Sequence, residues 1–180
     1  MTEELRVKME ELRALAPRLN KTSDSATSII KAVEDFLNGL GIGVSGSSWF
    51  DEEPAEAEDD ETPRKIRSYL AYGRIGGEFS IHILKQTYRE EMDTYGIMQD
   101  LPESEMRVHW TGCTREVKFK SFAKLPNLLD SILRNAKEQA DEADKAAATV
   151  GEMLTILGLA ADKPGASDTP DKPPLSRRRR

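Results

Sequence analysis

The sequence predicts an α+β fold: an antiparallel sheet of four or five strands, flanked by an N-terminal helix pair and a long C-terminal helix. Three observations support this prediction. Apolar residues recur at helical spacing near both ends of the chain. Through the middle they alternate with polar residues, as in strands with one buried face. Short glycine-rich breaks separate the alternating runs and are typical of hairpins.

An apolar seam with the alternating four- and three-residue spacing of a coiled coil predicts the first helix over residues 2–19. Pro17 disrupts backbone hydrogen bonding, and polar residues fill 20–24, so we expect this helix to end or kink near Ala16. A second helix is then expected up to about Leu40. The seam of the first helix comprises Leu5, Met9, Leu12, Ala16 and Leu19.

Alternation predicts the strands, with a hairpin turn in the glycine-rich segment 73–77. Residues 88–103 are expected to be irregular or to hold a short helix. Arg115 to Lys124 fits both a strand and a helix, and that choice stays open with helix favoured. The predicted strands span 42–50, 64–72, 78–85 and 106–111.

The long C-terminal helix is predicted over residues 125–157, because its apolar residues again follow a heptad pattern with one extra residue inserted. We expect its seam to pack against the first helix as a helical hairpin, or to drive formation of a homodimer. The seam comprises Leu125, Leu129, Ile132, Ala136, Ala140, Ala143, Ala147, Val150, Leu154 and Leu157.

Charge is concentrated in two segments of the 180-residue chain. Residues 51–62 hold eight acids and no base, which is more than the whole net charge of −6. We therefore expect one domain over 1–161 with a disordered acidic loop at 51–63. A disordered, proline-rich tail is expected over 162–180. It ends in four consecutive arginines: Arg177, Arg178, Arg179 and Arg180.

Composition narrows the class of protein. Cys113 is the only cysteine, so an intrachain disulfide is impossible, and a reducing compartment is indicated. No apolar run is long enough to span a membrane, and the first residues do not resemble a secretory signal. We expect a cytoplasmic protein without membrane attachment. No motif for a metal or cofactor is present, so neither is predicted.

One face of the predicted sheet gathers aromatic and basic side chains. If the strands pair in sequence order, alternation brings the two histidines of the chain to the face opposite the core. Arginine, histidine and aromatic groups together suit an anionic or stacking ligand or a partner. The predicted patch comprises Trp49, Arg67, Tyr69, His82, Arg107 and His109.

The sequence favours a non-catalytic interaction module, either an adaptor or a regulatory subunit, with a protein partner. The helical seams, the acidic segment and the tail indicate it, together with the lack of a catalytic motif. One alternative is a nucleic-acid-associated protein that uses the arginine tail and the basic, aromatic sheet face. A second alternative is a small enzyme that uses His82 and His109, with Cys113 as a possible nucleophile.

Overall fold

A computed structural model describes residues 3–55 and 63–157. One compact unit ends at Gln139 and another begins at Ala140. The prediction of one domain over 1–161 stays a prediction. In chain order the elements are helix α1 (Glu3–Leu40), strands β1 (Gly46–Ala55), β2 (Arg64–Ile75), β3 (Glu78–Met92) and β4 (Met98–His109), a 3-10 helix (Trp110–Gly112), and helices α2 (Arg115–Phe122) and α3 (Leu125–Ile156).

Helix α1 is a single helix of 38 residues, so the predicted N-terminal helix pair is wrong. The expected break at 20–24 is helical, because tertiary contacts hold the chain on both sides of it: Asn20 bonds to Arg115 of α2, and Ala26 is buried in the core. Thr22 Oγ1 donates to the carbonyl of Arg18 at 3.0 Å, and Ser28 Oγ donates to that of Asp24 at 3.0 Å. Pro17 lies within the helix and does not end it.

The four strands form one antiparallel sheet in the order β1-β2-β3-β4. The β2–β3 hairpin closes through Gly76 and Gly77, whose φ angles are 60° and 98°. Positive φ at both central residues is what a tight hairpin turn requires and what glycine adopts without strain. The α+β class is therefore confirmed, with four strands in the described residues.

The expectation of irregular structure or a short helix over 88–103 is wrong, because β3 and β4 extend through most of this segment. Asp93 makes the turn between them: its Oδ1 accepts hydrogen bonds from the backbone amides of Tyr95 and Ile97. Cross-strand ion pairs hold the charged ends of the strands together. Arg64 Nε lies 2.8 Å from Glu103 Oε2, for example.

Strand β1 also reaches further than expected and includes residues 51–55 of the segment predicted as a disordered loop. These acids are paired: Asp51 with Lys120 at 3.1 Å and Glu53 with Lys85 at 3.3 Å. Residues 56–62 lie outside the described part of the chain.

The hydrophobic core lies on one face of the sheet, beneath the C-terminal half of α1, helix α2 and the start of α3. Residues 115–122 of the segment that fitted both a strand and a helix form helix α2. Trp110 is buried at the centre and donates its indole N–H to Ser121 Oγ at 2.9 Å. The core residues include Ala26, Ile30, Leu37, Leu70, Tyr72, Ile81, Ile83, Leu125, Leu128 and Ile132.

Helix α3 contacts the free edge of the sheet at the start of β1. Asn135 Nδ2 donates to the carbonyl of Ser45 at 2.9 Å, and the amide of Ser47 donates to Ser131 Oγ at 3.4 Å. These bonds satisfy edge groups that would otherwise face water or another strand. Gly46 allows the close approach, because a Cβ there would lie 2.6 Å from Ile132 Cγ1.

The seams predicted for the two long helices are only partly buried. In α3, Leu128 is fully buried where the seam placed Leu129. The α1 seam is exposed over residues 5–19, and the expected helical hairpin or homodimer stays a prediction. In the second unit, α3 exposes Val150, Met153 and Leu154. Within the described residues, none of the helices is long and apolar enough to span a membrane.

Candidate functional site

The N-terminal half of α1 carries an exposed apolar stripe, defined here as Leu5, Met9, Leu12, Ala16 and Leu19. Leu12 is the most open of its large side chains, with 67% of its surface exposed. A stripe at heptad spacing is the surface that one helix of a coiled coil presents to another.

The same heptad positions continue along α1 into the core. Ala26, Ile30 and Leu37 follow the stripe in phase, and each has less than a twentieth of its surface exposed. The seam thus packs against the sheet at one end and is uncovered at the other. The transition falls near Asn20, whose side chain accepts a hydrogen bond from Arg115 of α2 at 2.7 Å.

Basic side chains border the apolar stripe. At the heptad positions that flank it lie Arg6, Lys8 and Arg13, whereas Glu10 and Glu11 lie on the outer face of the helix. Lys8 also pairs with Glu4 one turn earlier, at 2.5 Å. The stripe therefore presents an apolar centre with positive borders.

The sheet face opposite the core carries all six residues of the predicted patch. The register aligns Trp49, Tyr69, Leu84 and Arg107 in one row across the strands. The next row holds Ser47, Ala71, His82 and His109, and the row on the other side holds Glu52, Arg67, Gln86 and Glu105. Whether the patch binds a ligand or partner stays a prediction.

Arg67 forms ion pairs with neighbouring residues on this face. Its guanidinium contacts Glu52 at 2.6 Å and Asp100 at 2.7 Å, and it lies over the ring of Tyr88. The hydrogen bond to Glu52 is the main cause that raises the pKa of Arg67. Burial, with the 3.4 Å contact to Tyr88, raises the pKa of Tyr69 to about 12. In this half of the sheet face, the positive charge of Arg67 is therefore neutralised by Glu52 and Asp100.

His82 occupies a more enclosed position, with only 2% of its surface exposed. Burial lowers the pKa of its imidazole below the ordinary value of 6.5, and the nearby charge of Arg107 acts in the same direction. Nδ1 lies 3.0 Å from the carbonyl oxygen of Ser80, which can only accept. In the neutral ring Nδ1 therefore carries the proton, and Nε2 is left as an acceptor.

The remaining candidates for catalysis are not arranged as a nucleophile and base. The Cys113 thiol donates to the backbone carbonyl of His109 at 3.5 Å. Within residues 3–55 and 63–157, no hydrogen bond joins it to either imidazole. Burial raises the pKa of Cys113, which disfavours the reactive thiolate.

An open cleft of about 410 Å³ lies between the His82 half of the sheet face and α3. Ala71 and Gly73 leave its floor open because their side chains are too small to fill it. Leu84 and His82 line the same side. Its polar lining comprises Ser45, Ser47, Ser131, Asn135, Arg107 and Arg134.

Among the described residues of the predicted patch, the cleft lining does not include Trp49, Arg67, Tyr69 or His109. Trp49 is half exposed and donates its indole N–H to the carbonyl of Asp51 at 2.9 Å. The predicted binding tail, Arg177 to Arg180, lies outside the described residues. In the described part of the chain, no group of three or more His, Cys, Asp or Glu side chains is placed to hold a metal ion.

Comparison of the chain with protein-family models, with curated proteins and with solved structures finds no match in any of the three. The candidate surfaces therefore have to be interpreted from their own chemistry.

Sequence reasoning missed the residues that α3 adds to the cleft: Ser131, Arg134 and Asn135. A weak signal was available, because these three polar residues share one side of a helix beside its buried stripe. Nothing in the sequence indicates that this side meets the free edge of β1.

Proposed function

We propose that this protein is a non-catalytic interaction module. Its α1 stripe binds an amphipathic helix of another protein, one whose own apolar seam is bordered by aspartate and glutamate. The observation that supports it is the heptad seam of α1, which continues in phase from the exposed stripe into the core with Ser23 as its one polar position. Its C-terminal half is buried in the core, and its N-terminal half, through Leu19, is exposed.

Charge at the borders selects the type of partner. In a two-helix coiled coil, the positions that flank the seam of one helix lie against those of the other. A second copy of α1 would bring Arg6, Lys8 and Arg13 against the same basic residues, in parallel or antiparallel orientation. Like charges at these positions oppose pairing. An acid-bordered helix would form ion pairs there, and we prefer it to the homodimer expected from the seams.

The test uses the full-length protein and a synthetic peptide with leucine at the seam positions of each heptad and glutamate at the flanking positions. A matched peptide has lysine at the flanks. Titration followed by fluorescence anisotropy should show saturable binding of the glutamate peptide, and raised salt should weaken it. Equal binding of both peptides would contradict the charge argument.

Two substitutions on α1 test whether the peptide binds at the stripe. Leu12→Asp places a charge in the stripe, and Val7→Asp places the same charge at an exposed apolar residue of the outer face. Burial of a leucine contributes about 1.5–3 kcal/mol, and two-thirds of Leu12 is available. We expect Leu12→Asp to weaken binding roughly 5- to 30-fold and Val7→Asp to have little effect.

Sedimentation velocity of the protein alone tests whether the stripe binds a second copy of the chain instead. A monomer that binds the glutamate peptide supports the proposal. A concentration-dependent dimer that Leu12→Asp dissociates would instead assign the stripe to self-association and overturn it.

A further inference from the structure

The cleft between the sheet and α3 has features that the helix-binding proposal does not use. It lies on the face opposite the core, whereas the stripe lies on α1. Its lining contains two arginines and, among the described residues, no acid. A site of this composition favours an anion.

The two arginines are held in different ways. Arg107 is fixed before any ligand binds: its guanidinium contacts Glu105 at 2.6 Å and donates to the carbonyl of Arg74 at 2.8 Å. Arg134 forms no ion pair or hydrogen bond with any residue in 3–55 or 63–157. Its planar fork of donors is therefore available to a ligand.

Hydrogen bonds from neighbouring residues of α3 fix the position of the helix turn that carries Arg134. Ser131 and Asn135 both bond to the edge of β1, three residues before Arg134 and one residue after it. The helix backbone that carries the guanidinium is thus tied to the sheet beside the cleft. A binding group placed on a rigid element loses less freedom when its ligand arrives.

Hydroxyl groups add further donors. Ser131 Oγ accepts from the amide of Ser47, which leaves its own proton to donate. Ser45 and Ser47 also line the cleft. A phosphate group has three terminal oxygens that accept such bonds, and the guanidinium fork matches it in two-point geometry.

We propose that the cleft binds a small phosphomonoester, with its phosphate at Arg134 and the serine hydroxyls and its organic part against Leu84 and Ala71. The volume of about 410 Å³ exceeds what a bare phosphate needs and falls within the range of small-molecule sites. A long polyanion fits less well, because Glu52 and Asp100 surround Arg67 further along the same face.

The test measures binding of phenyl phosphate to the full-length protein by isothermal titration calorimetry, with inorganic phosphate, benzoate and phenol as comparison ligands. Phenyl phosphate should bind saturably and more tightly than inorganic phosphate. Binding of benzoate or phenol as tight as that of phenyl phosphate would overturn the assignment to a phosphomonoester, as would the absence of saturable binding.

Arg134→Gln removes the available guanidinium, and Lys137→Gln removes a positive charge from an exposed residue of the same helix that does not line the cleft. Hydrogen bonds to charged groups support an expected loss of roughly 10- to 100-fold for Arg134→Gln. Lys137→Gln should bind like the wild type, and both variants should melt like it. Unchanged affinity in Arg134→Gln, or an equal loss in Lys137→Gln, would refute the site.

Discussion

Gly46→Ala examines the contact that holds α3 against the sheet. A Cβ at this position would lie 2.6 Å from Ile132 Cγ1, 3.0 Å from its backbone nitrogen and 3.2 Å from its Cα. Rotation of the isoleucine side chain can relieve the first contact. The other two involve the helix backbone, so relief requires α3 to move away from the edge of β1.

Overpacking of this kind costs about 1–3 kcal/mol of unfolding free energy. For a domain of this size, each kcal/mol lowers Tm by roughly 2–4 °C, so we expect a decrease of about 2–12 °C. Urea unfolding and thermal melting, both followed by circular dichroism, measure the two quantities. The loss should appear as a lower midpoint at an unchanged urea dependence, because a small shift of α3 changes the surface exposed on unfolding very little.

Gly39→Ala is the matched control. Gly39 lies within α1, and a Cβ there meets nothing within 4 Å. Alanine should therefore stabilise the helix by about 0.5–1 kcal/mol relative to glycine. If Gly46→Ala is as stable as the wild type, or gains stability as Gly39→Ala should, then the close approach of α3 to β1 is not a constraint on the fold.

Two other predictions concern buried polar groups. Ser121→Ala removes the acceptor of the Trp110 indole N–H and leaves a buried donor unpaired. The unfolding free energy, measured with urea, should therefore fall by about 1–3 kcal/mol. No loss would show that this bond contributes nothing to stability. His82 has a folded-state pKa below the unfolded value near 6.5, so the unfolded chain binds a proton first as pH falls. Stability should therefore rise with pH through the interval between the two values, and His82→Gln should reduce this slope. An unchanged slope in His82→Gln would contradict the assignment.

Part of the candidate site followed from local pattern alone. Strand alternation has a period of two, so once β3 and β4 pair in the observed register, with His82 opposite His109, both histidines lie on the same face. The burial of His82 could not be predicted from this alternation. It depends on residues of other elements that line the same cleft as His82: Gly73 of β2, Arg107 of β4 and Ser131 of α3.

The errors in the predicted elements share one physical cause. Residues 20–24 and 88–103 are polar, and polar residues without apolar periodicity are typical of breaks and loops. In the structure, Asn20 of α1 bonds to Arg115 of α2, and ion pairs between strands replace apolar contacts. Only the neighbours supplied by the fold show that these side chains are satisfied.

The sequence by itself determined the α+β class, the β2–β3 hairpin and the long C-terminal helix α3, because each depends on spacing and turn chemistry within a short segment. The tertiary structure decided which half of the α1 seam is buried and which is exposed. It also decided that Arg134 of α3 lies beside the cleft with His82 of β3. Such contacts join residues far apart in the chain, and no local preference specifies them.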